Sequence, residues 1–429
     1  MKARMSVSHR CLCLALVVGL TQASLISSLV AQDAKPEAPA AKTETPAAKP
    51  EAAKPEAPKP ETPKPDAAKP ETPAPADAPA AVAAPAGNEE AIKAFDAKLA
   101  EWKAVVKALR DLKIRYQTAP EGETESLKKQ WDEQTAKGEK LLPELRDTGK
   151  AAYLAAPNAN LQLTRFLVRL LADDIERDDF EPAWDLAQAL VDNECEVNEV
   201  YQLAGAAAFA LNQFDKAEEL FKKAEETGTL NNEIAKKFFG ALPECKATWP
   251  AEEAARKADA EKDDLPRVKF TTPKGEIVVE LFENEAPETV GNFISLVESK
   301  FYDGLTFHRV LANFMAQGGC PQGTGTGDAG YKIFCECYKD NHRNHFRGTL
   351  SMAHAGKDTG GSQFFLTFVP TTHLNGRHTA FGRVISGMDV LAKLQRIDPD
   401  NPNKPAPDKI LKAEVIRKRD HKYEPNKVQ

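Results

Sequence analysis

The sequence predicts a multidomain chain: an all-α helical module followed by a mainly-β domain, a closed antiparallel barrel capped by two helices. Three observations predict it. From Asn88 onward apolar residues recur at the period of one helix face. Two stretches, 177–190 and 211–224, match each other at a constant offset of 34 residues. After Pro266 the period changes from 3.6 to 2, the period of strands. The chain has 429 residues, too many for one ordinary domain.

The first residues place Lys2, Arg4 and Arg10 before an apolar run, Cys11 to Leu20, too short to span a bilayer. Small residues follow, with cleavage expected near Ala23 or Ala31. Residues 1–31 are therefore expected to be a secretory signal peptide, with a periplasmic or extracellular product and no membrane segment after cleavage. An uncleaved anchor is the alternative. Residues 32–87 are almost entirely Ala, Pro, Lys, Glu and Thr, without one aromatic. Such a stretch cannot bury enough apolar area to offset its ordering entropy, and its prolines favour an extended, stiffened tether. A docking ligand for a proline-binding module is the alternative.

Residues 88–262 are expected to form the helical module. Ile92, Phe95, Leu99, Trp102, Val106 and Leu109 form one stripe, "PEGET" at 120–124 breaks it, and Leu127, Trp131, Leu141 and Leu145 suggest a returning helix. In the self-match, Phe180 falls on Phe214, Ala183 on Ala217, Ala187 on Phe221 and Leu171 on Gly205. A 34-residue helix–turn–helix period resembles the tetratricopeptide repeat, which implies a protein-binding partner surface. Helical hairpins of another kind remain open. Ala251, Ala255 and Ala258 continue the offset, so a degraded third repeat or a capping helix is expected.

Residues 263–419 are expected to be the β domain, with 420–429 as a tail. Val268 and Phe270, then Ile277, Val279 and Leu281, alternate around a "TPKG" turn. "APETVGNFISLVESKF" reads as a helix with Pro287 in its first turn. "TFHRV", "FMAQGG", "TLSMAHA", "SQFFLTFV" and "TAFGRVI" read as strands, "MDVLAKLQRI" as a second helix and "KILKAEVIRK" as a closing strand.

Three motifs carry the chemistry: "FHRVLANFMAQGG" at 307–319, "TLSMAHAGKDTGGSQFFLTFV" at 349–369 and "HLNGRHTAFGRV" at 373–384. Together, in order and spacing, they resemble the cyclophilin family of peptidyl-prolyl cis–trans isomerases, from about Val268 to Arg417. The resemblance implies a cyclophilin-like barrel acting on X–Pro bonds of proline-containing polypeptides, with no cofactor or metal. Rotation about such a bond needs no covalent intermediate, only stabilisation of a twisted amide whose nitrogen has become basic. An arginine suits that task because it stays charged and holds its donors rigidly. The resemblance implies Arg309 as the catalytic cation, held by a hydrogen bond from Gln317, with His308 beside it. It implies a proline pocket of Phe314, Met315, Phe365 and Leu374. Gln363 and the backbone of Ala353, His354 and Ala355 would bind the substrate main chain, His308 and His378 would border the groove, and His373 would stand on the pocket rim. His373 stands where many members carry Trp, and His354 where Asn is common. A non-catalytic chaperone or scaffold that only grips proline segments is the rival reading.

Other classes are excluded or disfavoured by composition. The net charge is −7, and from Pro266 onward 22 Lys+Arg face 18 Asp+Glu, so no strongly basic face for nucleic acid exists. Gly325, Gly327 and Gly330 spell G-x-G-x-x-G without the strand-to-helix context of a nucleotide site. Cys335, Cys337, His342 and His345 do not have a common zinc spacing. After signal removal five cysteines remain: Cys195, Cys245, Cys320, Cys335 and Cys337. A disulfide from Cys320 to one of the last pair and free thiols are both open.

Overall fold

The computed structural model describes residues 86–428, which form one compact unit. The expected signal peptide and the expected tether up to residue 85 lie outside the described residues. No helix among the described residues is long and apolar enough to cross a membrane.

Helices α1 (Ala86–Thr118) and α2 (Thr124–Ala155) are the predicted pair, joined by a 3-10 turn at Glu121–Glu123. Phe95, Trp102, Val106 and Leu109 are buried, as are Leu127, Trp131, Leu141 and Leu145. Ile92 is exposed, so the stripe begins one step later than the sequence suggests. Helices α3 (Leu161–Glu176), α4 (Phe180–Asp192), α5 (Glu199–Ala210) and α6 (Phe214–Glu226) follow. Asn160 caps α3 by accepting from the N–H groups of Gln162 and Leu163. Helices α4 and α6 are both 13 residues long and start 34 residues apart. Helix α5 is buried on every side from Val200 to Ala210. A Cβ on Gly205 would stand 2.6 Å from the Phe221 ring, so this glycine permits the close packing of α5 on α6. Where a degraded repeat or a capping helix was expected, a single 30-residue helix, α7 (Glu233–Lys262), continues through Pro243 and Pro250.

The β domain is one eight-stranded antiparallel sheet: β1 (Arg267–Thr272), β2 (Gly275–Leu281), β3 (Arg309–Leu311), β4 (Met315–Gly318), β5 (Thr349–Met352), β6 (Phe364–Thr367), β7 (Ala380–Ser386) and β8 (Lys412–Arg417). The strand order is β3-β4-β6-β5-β7-β2-β1-β8. The expected closed barrel is thus corrected to a curled sheet that stays open between β3 and β8. Strand β3 is only three residues long, and that side is spanned by single bridges, Thr306 to Lys409 and Val310 to Ile397. Helix α8 (Pro287–Glu298) has its proline in the first turn, and Glu336 caps it by accepting from Thr289 N–H, at 2.8 Å, and Thr289 Oγ1, at 2.7 Å. The second helix, α9 (Met388–Ala392), is half its expected length. Leu394 and Ile397, just past it, turn inward and are buried. Phe270, Phe293, Tyr302, Phe364 and Phe381 fill the core with rings in edge or stacked contact.

The helical module meets the sheet along a seam rich in charge. Arg343 lies almost fully buried over the Phe282 ring, 4.0 Å from its centroid. It donates to both oxygens of Glu252 (2.8 and 3.1 Å) and to Asp259 (3.0 Å), all on α7. Phe346 packs between Phe214 and Trp249. Arg347 forks onto Glu181 at 2.7 and 2.8 Å. Asp178, in the turn between α3 and α4, accepts from Arg396 at 2.6 Å and from the backbone N–H of Asn313 at 2.7 Å. Asn313 is in the left-handed region (φ 54) at the β3–β4 turn, so the module pins the hairpin that carries the central motif.

Candidate active site

Ladder register assembles the site. Arg309 pairs with Gln317, Gln317 with Phe365, and Phe365 with Ser351, so one row crosses four strands. Directly paired residues project to the same face. The adjacent row, Val310, Ala316, Leu366 and Leu350, projects to the other face and is buried in the core. Period-2 alternation therefore separates a chemical face from a packing face.

That face forms a groove of about 560 Å³. Arg309, Phe314, Met315, Gln317, Ala353, His354, Ala355, Gln363, Phe365, Leu374 and His378 all line it, joined by Gly325, Thr326, Gly327 and Thr359. Two expected residues do not line it. His308, just before β3, is buried, with Nε2 3.5 Å from where a Cβ on the groove residue Gly325 would stand; burial lowers its pKa. His373 stands outside the lining, its ring 5.6 Å from that of Phe314.

The Arg309 guanidinium sits 5.6 Å from the Phe314 ring centroid. No carboxylate among the described residues pairs with it. Gln317 was expected to hydrogen-bond Arg309; its side-chain N–H instead donates to Gln363 Oε1 at 2.9 Å. A guanidinium offers donors only, so the Gln317 N–H finds its acceptor in Gln363, two residues from the Phe365 that pairs with Gln317. Gln363 in turn donates to the carbonyls of Gly325 (2.9 Å) and Gly327 (2.8 Å). The glycine-rich stretch is thus a groove wall, tied again from below by N–H bonds of Gly325 and Gly327 to Cys320 Sγ.

His354 Nδ1 accepts from Gly356 N–H, so its Nε2 carries the proton given to the Arg377 carbonyl at 2.7 Å. Its ring stacks on His378 at 4.1 Å, and His378, whose pKa burial lowers, meets Phe365 edge-on. Behind Phe365 lies His345, stacked at 5.9 Å and held by Asn375 and Ser351; burial pushes its pKa down to about 3. Cys335, Cys337, His342 and His345 do not converge, and all five cysteines among the described residues are free thiols.

Sequence reasoning missed the module's share of this site. Lys237 of α7 stands 5.8 Å from the Phe314 centroid, and Glu244 of α7 accepts from Asn375 at 3.0 Å. After burial, Lys237 and Arg377 are the next causes that lower the pKa of His373. No motif or period links residue 237 to residue 314.

The arrangement offers one unpaired, always-charged donor group beside an apolar wall. It offers no nucleophile and no free carboxylate: Asp328, at the groove's edge, is paired with Lys332. Residues 267–415 match the family model described as "Cyclophilin type peptidyl-prolyl cis-trans isomerase/CLD". A peptidyl-prolyl cis-trans isomerase of Helicobacter pylori is 50% identical over 145 residues, covering 33% of this chain and 88% of that protein. One from Synechococcus elongatus is 60% identical over 112 residues (26% of this chain, 75% of that protein). Peptidyl-prolyl cis-trans isomerase B of Bacillus subtilis is 56% identical over 122 residues (28% of this chain, 85% of that protein).

Proposed function

We propose, from the premise that this chain belongs to the cyclophilin-type peptidyl-prolyl cis–trans isomerase family, that its groove twists X–Pro bonds of exported polypeptides through Arg309 and so assists their folding. The observation that carries the reading is the unpaired Arg309 guanidinium, in one register-defined row with Gln317 and Phe365, in a groove that Phe314 and Met315 also line.

The amide barrier of about 20 kcal/mol comes from delocalisation of the nitrogen lone pair. The proline ring, which has no donor, seats against Phe314, Met315, Phe365 and Leu374. As the bond twists, the nitrogen pyramidalises and accepts a hydrogen bond from Arg309. The planar ground state offers little lone pair, so this bond favours the transition state selectively. Apolar walls exclude water and strengthen the guanidinium's field. The Gln317–Gln363 pair fixes the wall formed by Gly325 and Gly327, and Ala353, His354 and Ala355 line the groove where the substrate's main chain would run.

Export is supported by Lys2, Arg4 and Arg10 preceding the apolar run Cys11–Leu20. A tetratricopeptide-like reading of residues 161–226 is supported by the equal lengths and 34-residue spacing of α4 and α6, and by the Gly205–Phe221 approach. On that reading the module engages a partner protein or an unfolded chain and delivers prolines to the groove. The test is isomerisation of a short X–Pro peptide by wild type and Arg309→Ala, followed by nuclear magnetic resonance exchange. Wild-type turnover that the variant loses is expected. Equal rates above the uncatalysed background would remove Arg309 from the mechanism, and background rates for both would leave only the non-catalytic chaperone reading.

A further inference from the structure

Three lysines of α7 differ in their surroundings. Lys236 pairs with Glu233 at 2.9 Å, and Lys246 with Asp215 at 2.7 Å and Glu218 at 2.5 Å. Lys237 has no carboxylate partner among the described residues. It is exposed, and its ammonium stands 5.8 Å from the centroid of Phe314. Phe314 therefore has two unpaired cations within 6 Å of its ring centroid, Arg309 from its own hairpin at 5.6 Å and Lys237 from the helical module at 5.8 Å. One turn along α7, Gly240 has nothing within 4 Å of where a Cβ would stand, so space beside this rim is open. Two turns along, Glu244 is occupied by Asn375, which anchors α7 to the rim loop. Arg377, also exposed, adds a third cation near His373.

We propose that Lys237 is a specificity-determining residue: it selects prolines flanked, within one or two positions, by aspartate or glutamate. An extended chain advances about 3.3 Å per residue. A proline seated against Phe314 thus brings a flanking side chain within reach of an ammonium 5.8 Å from that ring. The selecting charge comes from the module, so the two halves of the chain share one substrate site. The inference rests on the reading that the proline ring seats against Phe314.

The test uses the full chain and three single-proline peptides with Glu, Gln or Lys flanking the proline. Turnover is measured by nuclear magnetic resonance exchange, which needs no charge-sensitive coupling protease. Wild type should prefer the Glu peptide over the Lys peptide by about two- to fivefold in kcat/KM at low salt, the scale of one exposed ion pair. The preference should shrink as salt is added. It should fall in Lys237→Gln and fall by a similar factor again in Lys237→Glu, the remainder being the share of Arg309 and Arg377. Ratios within one protein cancel any loss of folded enzyme. The same Glu-to-Lys ratio in all three proteins, each turning over every peptide, would overturn Lys237 as a determinant and leave the isomerase site standing. Failure of wild type to turn over any peptide would sink the site reading, and this inference with it.

Discussion

The groove and the seam treat charge in opposite ways. In the groove Arg309 is left without a carboxylate beside apolar walls. In the seam Arg343 is almost fully buried but is saturated by Glu252 and Asp259. Both arginines lie over a phenylalanine ring, at 5.6 Å and 4.0 Å. Surroundings, not residue type, separate them. A saturated cation joins two pieces of protein; an unsaturated one is available for a partner that arrives later.

The largest effect should come from breaking the seam. Arg343→Leu leaves Asp259 and Glu285 without a cation and Glu252 with Arg256 alone. Loss of one member of a buried ion-pair set costs about 3–5 kcal/mol. Denaturant unfolding should show that loss; an unchanged midpoint would mean the seam is not a stabilising joint. Arg309→Ala should do the reverse, leaving the midpoint in place while lowering kcat/KM by about 10²-fold, as on removal of one preorganised donor. A variant that unfolded instead would erase the distinction.

A pH experiment sharpens the comparison behind Phe365. His345 is held neutral, with its pKa pushed from 6.5 to about 3 by burial. Unfolding releases that constraint, so the unfolded chain binds the extra proton first. The stability contributed is fully present above pH 6.5 and is lost as pH falls toward 3, with a slope of about 1.4 kcal/mol per unit. The stability difference between wild type and His345→Gln should therefore narrow by about 2 kcal/mol from pH 7 to pH 5. A pH-independent difference would show that His345 is not buried neutral. The smallest effect is expected at the rim. His373→Trp enlarges the ring beside Phe314, and an added aromatic contact should lower KM by about two- to fivefold with kcat little changed. A large fall in kcat would give His373 a role beyond the rim.

Much of this was legible in the sequence, for a physical reason. Helix stripes and strand alternation are local periods, so α1, α2, α8 and the order of β1 to β8 follow from them. The groove set of Arg309, Phe314, Met315, Gln317, Gln363 and Phe365 was legible because strand pairing gathers motifs that already stand in family order. What was not legible depends on long-range register or on the module. The bond of Gln317 to Gln363 joins residues 46 apart in sequence, a pairing that no local period encodes. His308 does not line the groove itself but is buried beside its wall at Gly325, a placement that no local period foretells. Lys237, Asp178 and Glu244 carry no motif at all; they matter only because α7 and the α3–α4 turn dock where they do. The change of period at Pro266 marks a boundary in the pattern, yet buried charges cross it.

The bond from Asn313 to Asp178 also sets a clock. The amide hydrogen of Asn313 belongs to the catalytic hairpin, but the oxygen that holds it belongs to the helical module. That hydrogen cannot pass to solvent while the carboxylate covers it. Its exchange with deuterated water would therefore time how often the two halves part, one amide reporting on a motion of the whole chain.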